Sequence, residues 1–218
     1  NFLSQDADGV MLIEGVRVDD IAKRYGTPIL VMVESEIRRN CRRFKKVFGP
    51  DIGLQFAVKC SSNLEILRIV REEGFELDCS SVGEIILGLL ADFKPRQITL
   101  TNLFKSEQDL HFAAKVDIQS ITADSIEEIE HIAATAKKLK KHIRTVIRVN
   151  PMLTVGSYTT RGNKYGIPIG YVDRAVDLAV SSPYVDFRGF HFMGGYVYQT
   201  RVFKAAARTF VKLIRRCE

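Results

Sequence analysis

Short apolar or β-branched runs alternate with longer stretches of helical period along most of this 218-residue chain. The run LQFAVK (54–59) precedes a helix expected from about Leu64 to Glu73, and FELDCS (75–80) one from about Gly83 to Ala91. QITLTN (97–102) leads into a helix near Ser106 to Lys115, and DIQSIT (117–122) into one from Ser125 to about Lys140. IRTVIRV (143–149) precedes an irregular stretch and a helix near Tyr171 to Val180, and VDFRGFHFM (185–193) one from about Thr200 to Arg216. Period 2 or unbroken apolar runs followed by period 3.6 are the mark of successive β/α units.

The helix after Ser125 has the clearest pattern. Ile126, Ile129, Ile132, Ala133, Ala136 and Leu139 fall on one face, and Ser125 with Glu128 has the spacing of a capping box. The strands flanking it read as apolar rather than alternating, which suits parallel strands covered by helices. Six such units fit a doubly wound sheet or a (β/α)8 barrel, and a barrel would need two more strands than are visible. Ahead of the first unit, residues 11–48 read as a short strand, a short helix, a strand and a longer helix. The long irregular stretch NPMLTVGSYTTRGNKYGIP (150–168) is a candidate lid or binding loop; plain surface wandering is the alternative.

Composition changes this picture little: 46% hydrophobic and 27% charged residues describe an ordinary globular chain. The net charge of +6 is scattered along helical faces, in Arg38, Arg39, Arg42 and Arg43 and in Lys137, Lys138, Lys140 and Lys141, which reads as solvated surface and argues against a nucleic-acid partner. No apolar run approaches the roughly 20 residues needed to cross a bilayer, and the first ten residues lack a signal-peptide pattern, so no membrane partner and a cytoplasmic location are expected. Cys41, Cys60, Cys79 and Cys217 show neither metal-site nor disulfide spacing and read as reduced thiols; no metal is expected.

In a β/α barrel the chemistry gathers at the C-terminal ends of the strands. Those ends deliver Lys59 with Cys60, Asp78 with Ser80 and Ser81, Asn102 with Lys105, Arg148 with Asn150, and His191 leading into Gly194, Gly195 and Tyr196. Each has a plain alternative. Asp78 and Ser81 could cap a helix, Arg148 could serve an ion pair, His191 could be a satisfied core residue, and the glycines could relieve a tight turn. Lys59 raises the sharpest question, because an ammonium at the tip of a core strand either snorkels to water or is chemically employed.

The fragment FAVKCSSN resembles the Y-A-V-K-A/C-N motif of the alanine-racemase-like, fold-type III, pyridoxal-phosphate-dependent decarboxylases, whose lysine carries the cofactor covalently. EGVRVDDIAKRYGTPILVMVESEIRRN resembles the N-terminal segment of diaminopimelate decarboxylases. FELDCSSVGEI is similar to their F-D-V-V-S-G-G-E-L and to the F-D-C-A-S of ornithine decarboxylases. IRVNP, NKYGIP and GFHFMGG resemble the family's R-V-N-P, N-K-F-G-I and G-L-H-C-H-I-G-S, in the same order.

The resemblance implies an α/β fold, a TIM-type (β/α)8 barrel of which about six units are present, occupying residues 28–218. Residues 1–27 would belong to a second β domain. It implies pyridoxal 5'-phosphate as cofactor, with Lys59 as the covalent lysine, Asp78 as an acid beside it, Arg148 orienting the lysine and cofactor hydroxyl, His191 beside the ring and Gly195 in the turn near the phosphate. The usual second histidine falls at Met193 and the phosphate-contacting serine at Tyr196; both substitutes can still contact the cofactor. The family's Gly-rich phosphate loop and C-terminal β domain would lie beyond Glu218. The implied activity is amino-acid decarboxylation, with meso-diaminopimelate as substrate and a homodimer when full length. The alternatives are ornithine, arginine or an unusual or carrier-bound amino acid as substrate, and, in another class, a non-catalytic regulatory barrel.

Overall fold

A computed structural model describes residues 2–195 and 199–217 of the chain. The N-terminal part forms a small antiparallel sheet of β1 (Leu3–Gln5), β2 (Met11–Ile13) and β3 (Val16–Arg17), followed by α1 (Val18–Tyr25). Arg17 holds this turn together by pairing with Asp6 and, at 3.1 Å, with Asp19. The strand expected between the two N-terminal helices does not form. The backbone at Val33 is extended, but no described strand pairs with residues 27–33, and Leu30 is 93% exposed. An extended run becomes a strand only when a neighbour takes its amide and carbonyl groups.

The next helix, α2 (Glu34–Phe48), buries only Cys41 from its own length. It precedes β4 (Gln55–Ala57) and α3 (Leu64–Glu72), against which it docks through charge. Arg38 reaches Glu72 at 2.7 Å and Glu73 at 3.3 Å, and Arg42 reaches Glu73 at 2.8 Å. Arg38 is thereby partly buried between the two helices, whereas Arg42 pairs with Glu73 while staying on the solvated face expected from sequence.

The remaining elements are β5 (Glu76–Cys79), α4 (Val82–Leu90), β6 (Ile98–Leu100), α5 (Glu107–Val116), β7 (Ser120–Ala123), α6 (Ile126–Leu139) and β8 (Ile143–Asn150). A two-stranded hairpin of β9 (Thr154–Val155) and β10 (Tyr158–Thr159) follows, then β11 (Ile167–Pro168), α7 (Val172–Ser181), β12 (Val185–His191) and α8 (Thr200–Cys217). The pairing runs β4–β5–β6–β7–β8–β12, parallel throughout, with β11 also joining the tip of β8. Neighbours in space are thus neighbours in the β/α order. A doubly wound sheet would reverse that order at a switch point, so the arrangement is a partial barrel.

The strands are not uniformly apolar. Leu77, Cys79, Ile98, Leu100, Ile121 and Ala123 are buried in one core with Ile85, Leu110, Ile129 and Ile132 of the helices. The alternate positions Asp78, Thr99, Thr101, Ser120, Thr122 and Arg144 line a concave cavity of about 570 Å³. The expectation of apolar strands fails because helices cover one face only; the concave face of an arc of strands has no second helix layer. Gly88 lets α4 approach this sheet, since a Cβ there would lie 2.7 Å from Leu77 Cδ1 and 3.2 Å from Ile98 Cδ1.

Candidate active site

A cavity of about 150 Å³ opens at the C-terminal ends of the strands, bounded by Lys59, Asp78, Asn102, Arg148, His191 and Met193. Strand register builds it. Ala57 of β4 stands beside Asp78 of β5, and Arg148 of β8 stands beside His191 of β12. Three successive β/α units, those of β4, β5 and β6, thereby deliver a lysine, a carboxylate and an amide; β8 adds the guanidinium and β12 the imidazole.

Lys59 sits in a 3-10 turn, Val58–Cys60, just past the end of β4. Its side chain is exposed, so the ammonium reaches water, as the snorkelling alternative has it. Its charge nonetheless acts on the site, favouring the ionised form of Asp78 and the neutral form of His191.

Burial raises the Asp78 carboxyl above its ordinary range, against a hydrogen bond from Thr101 and the charges of Lys59 and Arg148. Its Oδ1 is buried without a partner. Ser81, not Asp78, caps α4, its hydroxyl accepting from the Glu84 amide at 3.2 Å. His191 is pushed down to about 4, first by burial and then by Arg148, with Asp124 opposing. The imidazole is neutral at pH 7, and its Nδ1 is buried without a partner.

Arg148 is buried and ion-paired, Nη1 donating to Asp124 Oδ1 at 2.7 Å. The second Asp124 oxygen accepts from the Gly166 amide at 3.0 Å. The Tyr165 ring lies 4.6 Å from the guanidinium carbon of Arg148, a cation–π contact that fixes its plane. Arg148 Nε remains without a partner, as does Asn102 Oδ1. Buried polar atoms are nearly always satisfied, so four orphans around one cavity mark a place built for a polar ligand.

These residues fit pyridoxal phosphate. An exposed primary amine can meet a carbonyl, the carboxylate, amide and guanidinium can meet ring substituents, and the imidazole and the Met193 thioether can flank an aromatic ring. Gly195 adopts φ +67°, the left-handed region that favours glycine, and the preceding Gly194 carbonyl accepts from the Tyr158 hydroxyl at 2.9 Å. Tyr196 lies outside the described residues.

Two of the strand-tip residues are turned to other work. Lys105 points away into a buried pair with Glu128 at 2.8 Å. Asn150 ties down the following loop, Nδ2 donating to Thr160 O at 2.9 Å and Oδ1 accepting from the Met152 amide at 3.0 Å. The capping box expected at Ser125 and Glu128 is half formed. The Ser125 hydroxyl accepts from the Glu128 amide, but the Glu128 carboxylate accepts from the Asp124 amide at 2.8 Å and from Lys105. Sequence reasoning missed Asp124 and Tyr165 as neighbours of Arg148. The only sequence signal for Asp124 is an acid standing directly before a helix cap, at a strand end.

Residues 34–218 match the family model described as pyridoxal-dependent decarboxylase, pyridoxal binding domain. The diaminopimelate decarboxylase of Archaeoglobus fulgidus is 31% identical over 179 residues, covering 80% of this chain and 42% of the relative. That of Mycobacterium bovis is 30% identical over 224 residues, covering 97% and 49%. The solved diaminopimelate decarboxylase of M. jannaschii, in complex with L-lysine, superposes with a TM-score of 0.87 at 24% identity, covering 98% of this chain and 52% of that one. The chain spans about half the length of the curated relatives it matches.

Proposed function

The chain belongs to the pyridoxal-dependent decarboxylases, through their pyridoxal-binding domain, and from that premise we propose that it provides the cofactor site of a diaminopimelate decarboxylase-like carboxy-lyase, converting meso-diaminopimelate to L-lysine and carbon dioxide. The observation that carries this reading is the ring of four unpartnered buried atoms, Asp78 Oδ1, Asn102 Oδ1, Arg148 Nε and His191 Nδ1, around the cavity that Lys59 borders. The names of the curated relatives support the substrate.

Bound pyridoxal phosphate supplies the electron sink that takes up the bonding pair when the substrate carboxylate leaves. Lys59 would hold the cofactor through its amine, which its exposed turn leaves accessible at the cavity mouth. Asp78, raised by burial and restrained by Lys59, is a carboxylate poised to hold or pass the lysine proton. Neutral His191 would flank the cofactor without adding a second positive charge to that of Arg148. Arg148 and Met193, which line the cavity, would hold the cofactor, and Gly195 in the turn that follows Met193 would lie toward its phosphate.

Residues 28–218 form the barrel part of the enzyme in this reading, and residues 1–27 belong to a second β domain. The full-length enzyme acts as a homodimer on a small amino acid in the cytoplasm. No helix among the described residues is long and apolar enough to cross a membrane. The test is carbon-dioxide release by the full-length enzyme with pyridoxal phosphate, offered meso-diaminopimelate, ornithine, arginine and lysine in turn. Release from meso-diaminopimelate with lysine as product supports the reading; release from another amino acid alone replaces the substrate, and release from none removes the activity.

A further inference from the structure

Lys105, a fully buried charged side chain, lies outside the cavity, together with its partner Glu128. The Lys105 side chain is 0% exposed and that of Glu128 8%. Glu128 Oε1 accepts from the Lys105 amide at 3.1 Å, and Oε2 accepts from the Lys105 ammonium and the Asp124 amide, each at 2.8 Å. The ammonium also donates to the Asn102 carbonyl at 3.2 Å. One carboxylate thus ties the loop after β6 to the tip of β7. Asn102 lines the cavity from the first segment, beside Thr101 and Leu103, and Asp124 of the second bears on it through its pair with Arg148.

A capping role alone would not need this arrangement. A glutamine would complete a capping box as well as a glutamate does. Stability alone would not need it either, because a buried ion pair can usually be exchanged for well-packed apolar side chains at little cost or with a gain. What an apolar pair cannot do is hold two separate backbone segments in one register through directed hydrogen bonds.

We propose that Glu128, with Lys105, is a positioning residue for cofactor binding: it fixes Asn102 directly through the loop and Arg148 through Asp124, so that both face the cavity before a ligand arrives. This inference rests on reading the cavity as a pyridoxal phosphate site.

The experiment measures the dissociation constant of pyridoxal phosphate by fluorescence, alongside thermal melting, in the full-length protein and in its Lys105→Met/Glu128→Leu double variant. The double variant, in which the Lys105 and Asp124 amides lose their acceptor, should melt lower than wild type and, well below its melting temperature, bind pyridoxal phosphate at least about tenfold more weakly. A folded double variant that binds within about twofold of wild type overturns the inference and leaves the proposed function standing. A wild-type protein that does not bind pyridoxal phosphate removes both. If the double variant does not fold, Glu128→Gln keeps the shape and gives the same comparison well below its melting temperature. Weakening of about tenfold supports positioning, and unchanged affinity with only a lowered melting temperature overturns it.

Discussion

Arg148 and His191 stand opposite one another as register partners across the β8–β12 pair, and each carries a buried nitrogen with no partner. Burial, and then the guanidinium next door, push the imidazole down to about 4 and keep it neutral. The sign of the stability effect follows. Between an ordinary histidine value near 6.5 and about 4, the unfolded chain binds a proton that the folded chain refuses, so stability falls as pH falls through that window. From pH 7 to pH 5 the loss amounts to about 2 kcal/mol. Urea midpoints of wild type and His191→Gln at the two pH values measure it, and the variant should lose that part of the acid sensitivity. Equal sensitivity in both would mean the imidazole is not held neutral by the fold.

Asp78 carries the opposite linkage. Its folded-state value is raised, chiefly by burial, so its ionisation destabilises the fold as pH rises through that value. Asp78→Asn is expected to melt higher than wild type at pH 7 while turning over substrate at least about a hundredfold more slowly, the low end for loss of an acid–base group. Melting curves and initial rates on the same preparations check both halves, and a variant that is less stable and fully active would contradict both.

Gly166 links the loop to the Arg148 corner. It adopts φ +79°, donates its amide to Asp124, and leaves only 2.9 Å between a would-be Cβ and the Arg148 carbonyl oxygen. Gly166→Ala therefore meets backbone, which cannot swing aside. It should cost about 2 to 4 kcal/mol in urea unfolding and weaken pyridoxal phosphate binding together with stability.

The loop after β8 is a built segment. Leu153 and Thr160 close it through the Thr160 amide at 2.9 Å and hydroxyl at 2.8 Å, and Asn150 anchors it. Asn150→Ala should raise the rate of tryptic cleavage at exposed Arg161 by about tenfold, as expected for loss of buried hydrogen bonds worth about 1.4 kcal/mol. An unchanged cleavage rate would show that the hairpin holds itself.

The six β/α units were legible because their periods differ so plainly, and each helix of a unit starts within two residues of its expected position. Their order in space was not legible, since a barrel and a doubly wound sheet share the same alternation. The strand tips pointed to Lys59, Asp78, Arg148 and His191, which the fold brings to one cavity. Periodicity could not reveal that Glu128 would pass over the Ser125 amide for Lys105 and Asp124, because that choice depends on a loop 23 residues earlier. The unpaired run at residues 27–33 failed for a related reason. A strand is a property of two segments, and only one of them was read.

The most direct test of the central claim, that this cavity holds pyridoxal phosphate on Lys59, is peptide mass mapping of the full-length protein after incubation with the cofactor and reduction with borohydride. A pyridoxyl label fixed on Lys59, and lost in Lys59→Ala, is the predicted result. A label on other lysines with Lys59 unmodified would contradict it.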